Sequence, residues 1–101
     1  LLRRGADVSL QNSEGSTALG LAAVNGREKL VELALRRGAE IDMQDNISRT
    51  ALMYAAYYGH PAVVLRLLRA GADSTLCTEE GNTSLQWAEA KGHAECVRAL
   101  K

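Results

Sequence analysis

The 101-residue chain has no Phe, one Trp and three Tyr, so a core built on large rings is excluded. It has one Pro and two Cys. Cys77 and Cys96 have no neighbouring Cys or His at zinc spacing. In a chain so rich in Leu and Ala, a disulfide framework is not needed, and both thiols are read as reduced. That usage points to an intracellular, cytoplasmic protein, with the nucleus as the alternative. Charge of one sign is also missing: 12 Lys and Arg face 12 Asp and Glu. Nothing therefore pulls the chain in general toward nucleic acid or an anionic membrane. The longest apolar run, Ala51 to Tyr58, is far too short for a membrane span. The opening Leu1-Leu2-Arg3-Arg4-Gly5 has the form of neither a signal peptide nor a transit peptide.

What the chain does have is Ala (16 residues) and Leu (15), within a hydrophobic share of 47%. A chain of this length makes about one domain. It buries about two-thirds of its unfolded surface, enough for a core without staples. The apolar share is too high, and the net charge too low, for disorder.

The sequence repeats itself. Gly15-Ser16-Thr17-Ala18-Leu19 returns as Ser48-Arg49-Thr50-Ala51-Leu52 and as Gly81-Asn82-Thr83-Ser84-Leu85, in steps of 33 residues. Ala22-Ala23 returns as Ala55-Ala56 and Ala88-Glu89. Gly26, Gly59 and Gly92 keep the same step, as do Gly5-Ala6-Asp7, Gly38-Ala39-Glu40 and Gly71-Ala72-Asp73. A fixed period of this size is the mark of a stacked array.

Each unit reads as two short helices and a connector. Thr17, Thr50 and Thr83 are placed to cap a first helix, predicted over about 17–25 in the first unit. Gly26, Gly59 and Gly92 end it in the left-handed conformation. The second helix carries Leu30, Val31, Ala34 and Leu35, then Val63, Val64, Leu67 and Leu68, at helical spacing on one apolar face. Pro61 suits its first turn. Arg36-Arg37 and Arg69 suit its C-terminal end. The segments 39–48 and 72–81 are turn-rich and read as hairpin-like connectors. One such pair cannot bury its own apolar face, but stacking on copies does so.

The unit resembles the ankyrin repeat. The resemblance rests on Gly15-x-Thr17-x-Leu19-x-Leu21-Ala22-Ala23-x-x-Gly26 with Gly38-Ala39-Glu40-Ile41. The second copy adds Thr50-x-Leu52, Ala55-Ala56-x-x-Gly59-His60 and Gly71-Ala72-Asp73. It covers essentially the whole chain and implies an all-α solenoid of helix–turn–helix units joined by β-hairpin-like loops. It divides the chain into the tail of a truncated repeat (1–11), repeats at 12–44 and 45–77, and a last repeat at 78–101 that reads as a cap. The incomplete first unit leads us to expect a piece of a longer protein.

Several residues depart from the pattern. Ala18, Ala51 and Ser84 replace the usual proline, and Gly20, Met53 and Gln86 the usual histidine. Ser48 replaces the turn glycine of Gly15 and Gly81, where a side chain is costly, so an adjusted turn is expected there. Arg66 falls in an apolar slot, so its head must reach water or the helix must shift.

No catalytic constellation emerges from the residues. His60 and His93 follow the helix-ending glycines and read as structural. Cys96 aligns with Leu30 and Val63 as a small buried residue. Glu79-Glu80 is no positioned acid–base pair, and no glycine loop is placed to cradle phosphate. No enzyme activity, cofactor or metal site is expected.

The resemblance implies a non-catalytic interaction scaffold that binds a protein or peptide on a concave surface of hairpin tips and first helices. The alternatives are a targeting or regulatory segment of a larger enzyme or channel, and self-association through the truncated first repeat near Leu1, Leu2, Leu19 and Leu21. Positions that differ between repeats are the candidate contacts: Glu14, Ser16 and Asn25; Asn46, Ile47, Arg49, Tyr57 and Tyr58; Glu80, Asn82 and Lys91. Tyr and Arg are common in interface hot spots. Neighbouring helical residues differ by about 100°, so one tyrosine of the pair should be exposed. Glu14, Asp45, Glu79 and Glu80 suggest an acidic rim, favouring a partner with Arg or Lys beside an apolar residue.

Overall fold

Threonine hydroxyls start the inner helices as the repeat predicts. Thr50 Oγ1 accepts from the Met53 N–H, and Thr83 forms a capping box with Gln86. The computed structural model describes residues 18–45 and 47–101, so Thr17 lies outside the described residues. Helix α1 spans 18–25. It is followed by α2 (Glu28–Arg36), α3 (Ala51–Tyr57), α4 (Pro61–Arg69), α5 (Ser84–Lys91) and α6 (Ala94–Leu100). Six helices and one isolated antiparallel bridge, Cys77 with Thr83, make up the regular structure of the described residues. The fold is an all-α helical repeat.

The helices stack as pairs. In the inner layer α3 packs on α5. In the outer layer α4 packs between α2 and α6. Small residues let the inner helices approach: Ala22, Ala23, Ala51, Ala55, Ala56 and Ala88 are all buried. Leu19, Leu52, Val31, Val63, Val64, Leu67 and Cys96 complete one continuous core. Truncating a fully buried leucine such as Leu52 would cost about 2–5 kcal/mol.

Polar contacts tie each unit to the next. His60 Nε2 lies 2.8 Å from the Val24 carbonyl, and His93 Nε2 lies 3.0 Å from that of Tyr57. A carbonyl only accepts, so the ring nitrogen is the donor. Among the connectors, Gln44 Nε2 donates to the carbonyl of Cys77 (3.2 Å), and the Asp73 N–H donates to Asp42 Oδ1 (2.8 Å).

Several expectations are revised. Leu19 is not at an open end; like its counterpart Leu52 it is buried in the core. Leu21, at 62%, is the exposed one, and Leu1 and Leu2 lie outside the described residues. Leu30 is 48% exposed, whereas its counterparts Val63 and Cys96 are fully buried. The later two sit in helices packed on the second helix of the preceding unit, α2 for α4 and α4 for α6. Arg66 neither shifts its helix nor simply snorkels. Its guanidinium spans two units, to Glu32 (2.9 Å) and Glu28 (3.2 Å) on α2. Ser48 adopts the turn conformation of a glycine, at φ +64°.

Candidate protein-interaction surface

The surface is organised by the turn before α3. Asp45 Oδ1 accepts from the N–H groups of Ile47 (3.1 Å) and Arg49 (2.8 Å). Its second oxygen accepts from the Tyr54 hydroxyl. Burial pushes the Asp45 carboxyl up. The bond from Tyr54, the two backbone donors and the Arg49 charge outweigh that and hold it below the usual carboxylate range. Burial, then the bond to Asp45 and its charge, raise the Tyr54 phenol above its ordinary value. The turn therefore fixes Arg49 at the mouth of the inner helices.

Arg49 lies over two rings, 5.4 Å from the centre of Trp87 and 5.9 Å from that of Tyr54. Tyr57 meets Trp87 edge-on at 5.2 Å, and Tyr58 meets Tyr57 edge-on at 4.9 Å. Lys91 Nζ sits 4.6 Å above the Tyr57 ring. Each such cation–ring contact is worth about 0.5–1 kcal/mol at an exposed site. Tyr58 reaches Tyr57 because it is the C-cap of α3, with the helix ending there (φ −92°, ψ 1°). Tyr57 is half-buried under these neighbours, while Tyr58 is 48% and Ile47 53% exposed.

Four of the expected contact residues thus form one connected group: Arg49, Tyr57, Tyr58 and Lys91. Ile47 joins it through the Asp45 turn. Glu80 is exposed in the next connector, and Asn82 is half-buried, its N–H donating to Thr78 Oγ1. Asn25 is exposed at the end of α1, where its amide donates to the Leu21 carbonyl (3.0 Å). Glu14, Ser16 and Asn46 lie outside the described residues.

Sequence reasoning missed Trp87 and Tyr54 as members of the group, and placed Asp45 only on its acidic rim. A signal was present. Leu21, Tyr54 and Trp87 occupy one repeat position, and all three are large. Counting differences between repeats favoured positions 24–25, 57–58 and 90–91 and passed over this row. Asp45 keeps its charge on the acidic rim, but its oxygens are engaged by three donors of the chain itself.

Elsewhere, His60, His93 and Cys96 have structural settings. Both histidine rings donate to carbonyls across a unit boundary. Burial, and then the charge of Glu95, push the Cys96 thiol up, away from reactivity. Among the described residues no cluster of His, Cys, Asp or Glu is placed to hold a metal ion, and no helix is long and apolar enough to cross a membrane.

A family model described as ankyrin repeats (three copies) matches residues 1–77 and 38–101, and so the whole chain. No individual curated protein matches it.

Proposed function

The chain belongs to the ankyrin-repeat family, and on that premise we propose that it is a non-catalytic scaffold binding a protein or peptide through its connectors and inner helices. Ankyrin repeats are in general protein–protein interaction modules. In this reading the repeats run 12–44, 45–77 and 78–101, and residues 1–11 are the tail of another. The second repeat supplies the anchor, through Ile47, Arg49, Tyr57 and Tyr58. Lys91, Glu80 and Asn82 flank it on one side and Asn25 on the other. Glu14, Ser16 and Asn46 belong to the same surface by repeat position. Neither nucleic acid nor a membrane is the partner.

The observation that carries this reading is Tyr58. It is half-exposed, yet it rests edge-on against a ring that Trp87 and Lys91 already hold. An aromatic ordered before binding loses little rotamer freedom when a partner covers it.

A pull-down from cell lysate, read by mass spectrometry, tests the reading. It compares the wild-type chain with the triple variant Arg49→Ala, Tyr57→Ala, Tyr58→Ala at matched melting temperature. Leu65→Ala, on the exposed side of α4, is the control. Partners lost only from the triple variant support the reading, and equal retention overturns it.

A second reading is self-association at the outer end of the first unit. Leu21 on α1 and Leu30 and Leu33 on α2 are each exposed, and exposed apolar side chains favour association where they share a patch. A size in solution that grows with concentration supports it, and a constant monomer size overturns it.

A further inference from the structure

We propose that the partner segment recognised on the second and third units is acidic, with an apolar side chain beside its carboxylates. This rests on the interaction-surface reading above and adds the chemistry of the partner.

The cations of this surface already have partners. Ring faces on this surface could in principle receive a partner's Lys or Arg. Here the chain fills them itself, Arg49 over Trp87 and Tyr54, and Lys91 over Tyr57. An incoming cation meets occupied rings and two like charges. An incoming carboxylate meets donors. An ammonium has three N–H donors and a guanidinium five, and a ring contact leaves the outward ones available. The ion pairs seen among the described residues engage other arginines, Arg66 with Glu28 and Glu32, and Arg98 with Glu95.

Acidic residues near the surface offset only part of this. α3 carries no charged residue, and α5 carries only Glu89 and Lys91. Glu89 is exposed, but it stands two residues before Lys91, about 200° round the helix and so on another face. Asp45 is bonded to Tyr54 and two backbone N–H groups but keeps its negative charge, which attracts Arg49 and leaves Lys91 as the principal cation for a partner carboxylate. Glu79 and Glu80 are exposed, but in the connector before α5. The inner-helix floor therefore presents Lys91 beside aromatic rings, and the connector beyond it is acidic. Tyr58 and Ile47 supply the exposed apolar area beside the two cations.

The test is selection of a phage-displayed random peptide library on the immobilised 101-residue chain. Selected peptides are then titrated in solution while following the emission of Trp87, the single tryptophan of the sequence. The expected result is enrichment of Asp and Glu over Lys and Arg, with an apolar residue nearby. These peptides should perturb Trp87, weaken with added salt, and lose about tenfold or more in affinity on Lys91→Glu and on Tyr58→Ala. Basic or neutral peptides that perturb Trp87 and need Tyr58 would overturn the acidic preference and leave the interaction surface standing. Peptides of any charge that bind Tyr58→Ala as well as wild type and leave Trp87 unchanged would overturn both. Failure to enrich any peptide would overturn the acidic preference.

Discussion

Gly59 lies against His93: a Cβ built on Gly59 would stand 2.6 Å from the ring Nδ1. The same ring donates to the Tyr57 carbonyl, so the histidine of one unit plugs the turn of the unit before it. Gly26 and His60 repeat the arrangement, again at 2.6 Å. Gly92 has the same φ as Gly59, +73°, but nothing lies within 4 Å of its Cβ position.

That difference separates two costs of a side chain. Gly59→Ala meets both the left-handed backbone and the ring, and Gly92→Ala meets the backbone alone. The backbone term is about 1–2 kcal/mol at either site. The clash adds roughly 1–3 kcal/mol at Gly59. Urea denaturation should therefore show Gly59→Ala as clearly the more damaging. Equal losses would mean that the ring does not pack on this turn.

Arg66 predicts a salt-dependent tie between units. Its two carboxylate partners are i, i+4 neighbours on α2, and the three side chains are more than a third exposed. Exposed pairs are worth little. Arg66→Ala should cost about 0.5–1 kcal/mol at low salt, less at about 1 M NaCl. Arg66→Leu should cost less, because it restores the residue type of Leu33 and removes the buried Nε that has no acceptor. A loss unchanged by salt would contradict the ion-pair account.

Asp45 predicts an acid-side loss of stability. Its carboxyl titrates below the ordinary value of 3.8 in the folded chain. The unfolded chain therefore takes the proton first as pH falls. The contribution is fully present above the ordinary carboxylate range and disappears as pH drops through the folded value. Asp45→Asn should flatten the decline of the urea midpoint between about pH 5 and pH 3. Tyr54, raised above 10.0, acts in the opposite direction: its contribution is present below that value and is lost as pH climbs past the folded one. Tyr54→Phe should therefore soften both limbs. Acid and alkaline limbs identical to wild type in both variants would contradict the coupled turn.

Much of the fold was legible because the determinants are local and recur. Thr50, Thr83, Pro61 and the glycines at 26, 59 and 92 act through their own backbone, and the structure places them as their residue types require. Ser48 was legible as a turn position by its register with Gly81, but not in conformation: the cost of a side chain pointed to an adjusted turn, and the structure keeps the glycine-like φ of +64°. The burial of Leu19 and the exposure of Leu30 were not legible. Both depend on which unit packs against which, and not on the periodicity within a helix. The candidate surface was legible in its parts and not in its wiring. Arg49, Tyr57, Tyr58 and Lys91 differ between repeats and so draw attention. That Trp87 joins them, and that Arg49 and Lys91 cover the rings, arises from contacts between residues 30 or more positions apart.

The central claim is that the Tyr58 group forms the protein-binding site. The most direct measurement is the affinity of a captured partner for Tyr58→Ala and for Leu65→Ala, by calorimetry at matched stability. Tyr58→Ala should weaken binding by about 5- to 150-fold, the equivalent of roughly 1–3 kcal/mol, while Leu65→Ala leaves it unchanged. Binding weakened by Leu65→Ala and untouched by Tyr58→Ala would contradict the account and move the site to the outer helices.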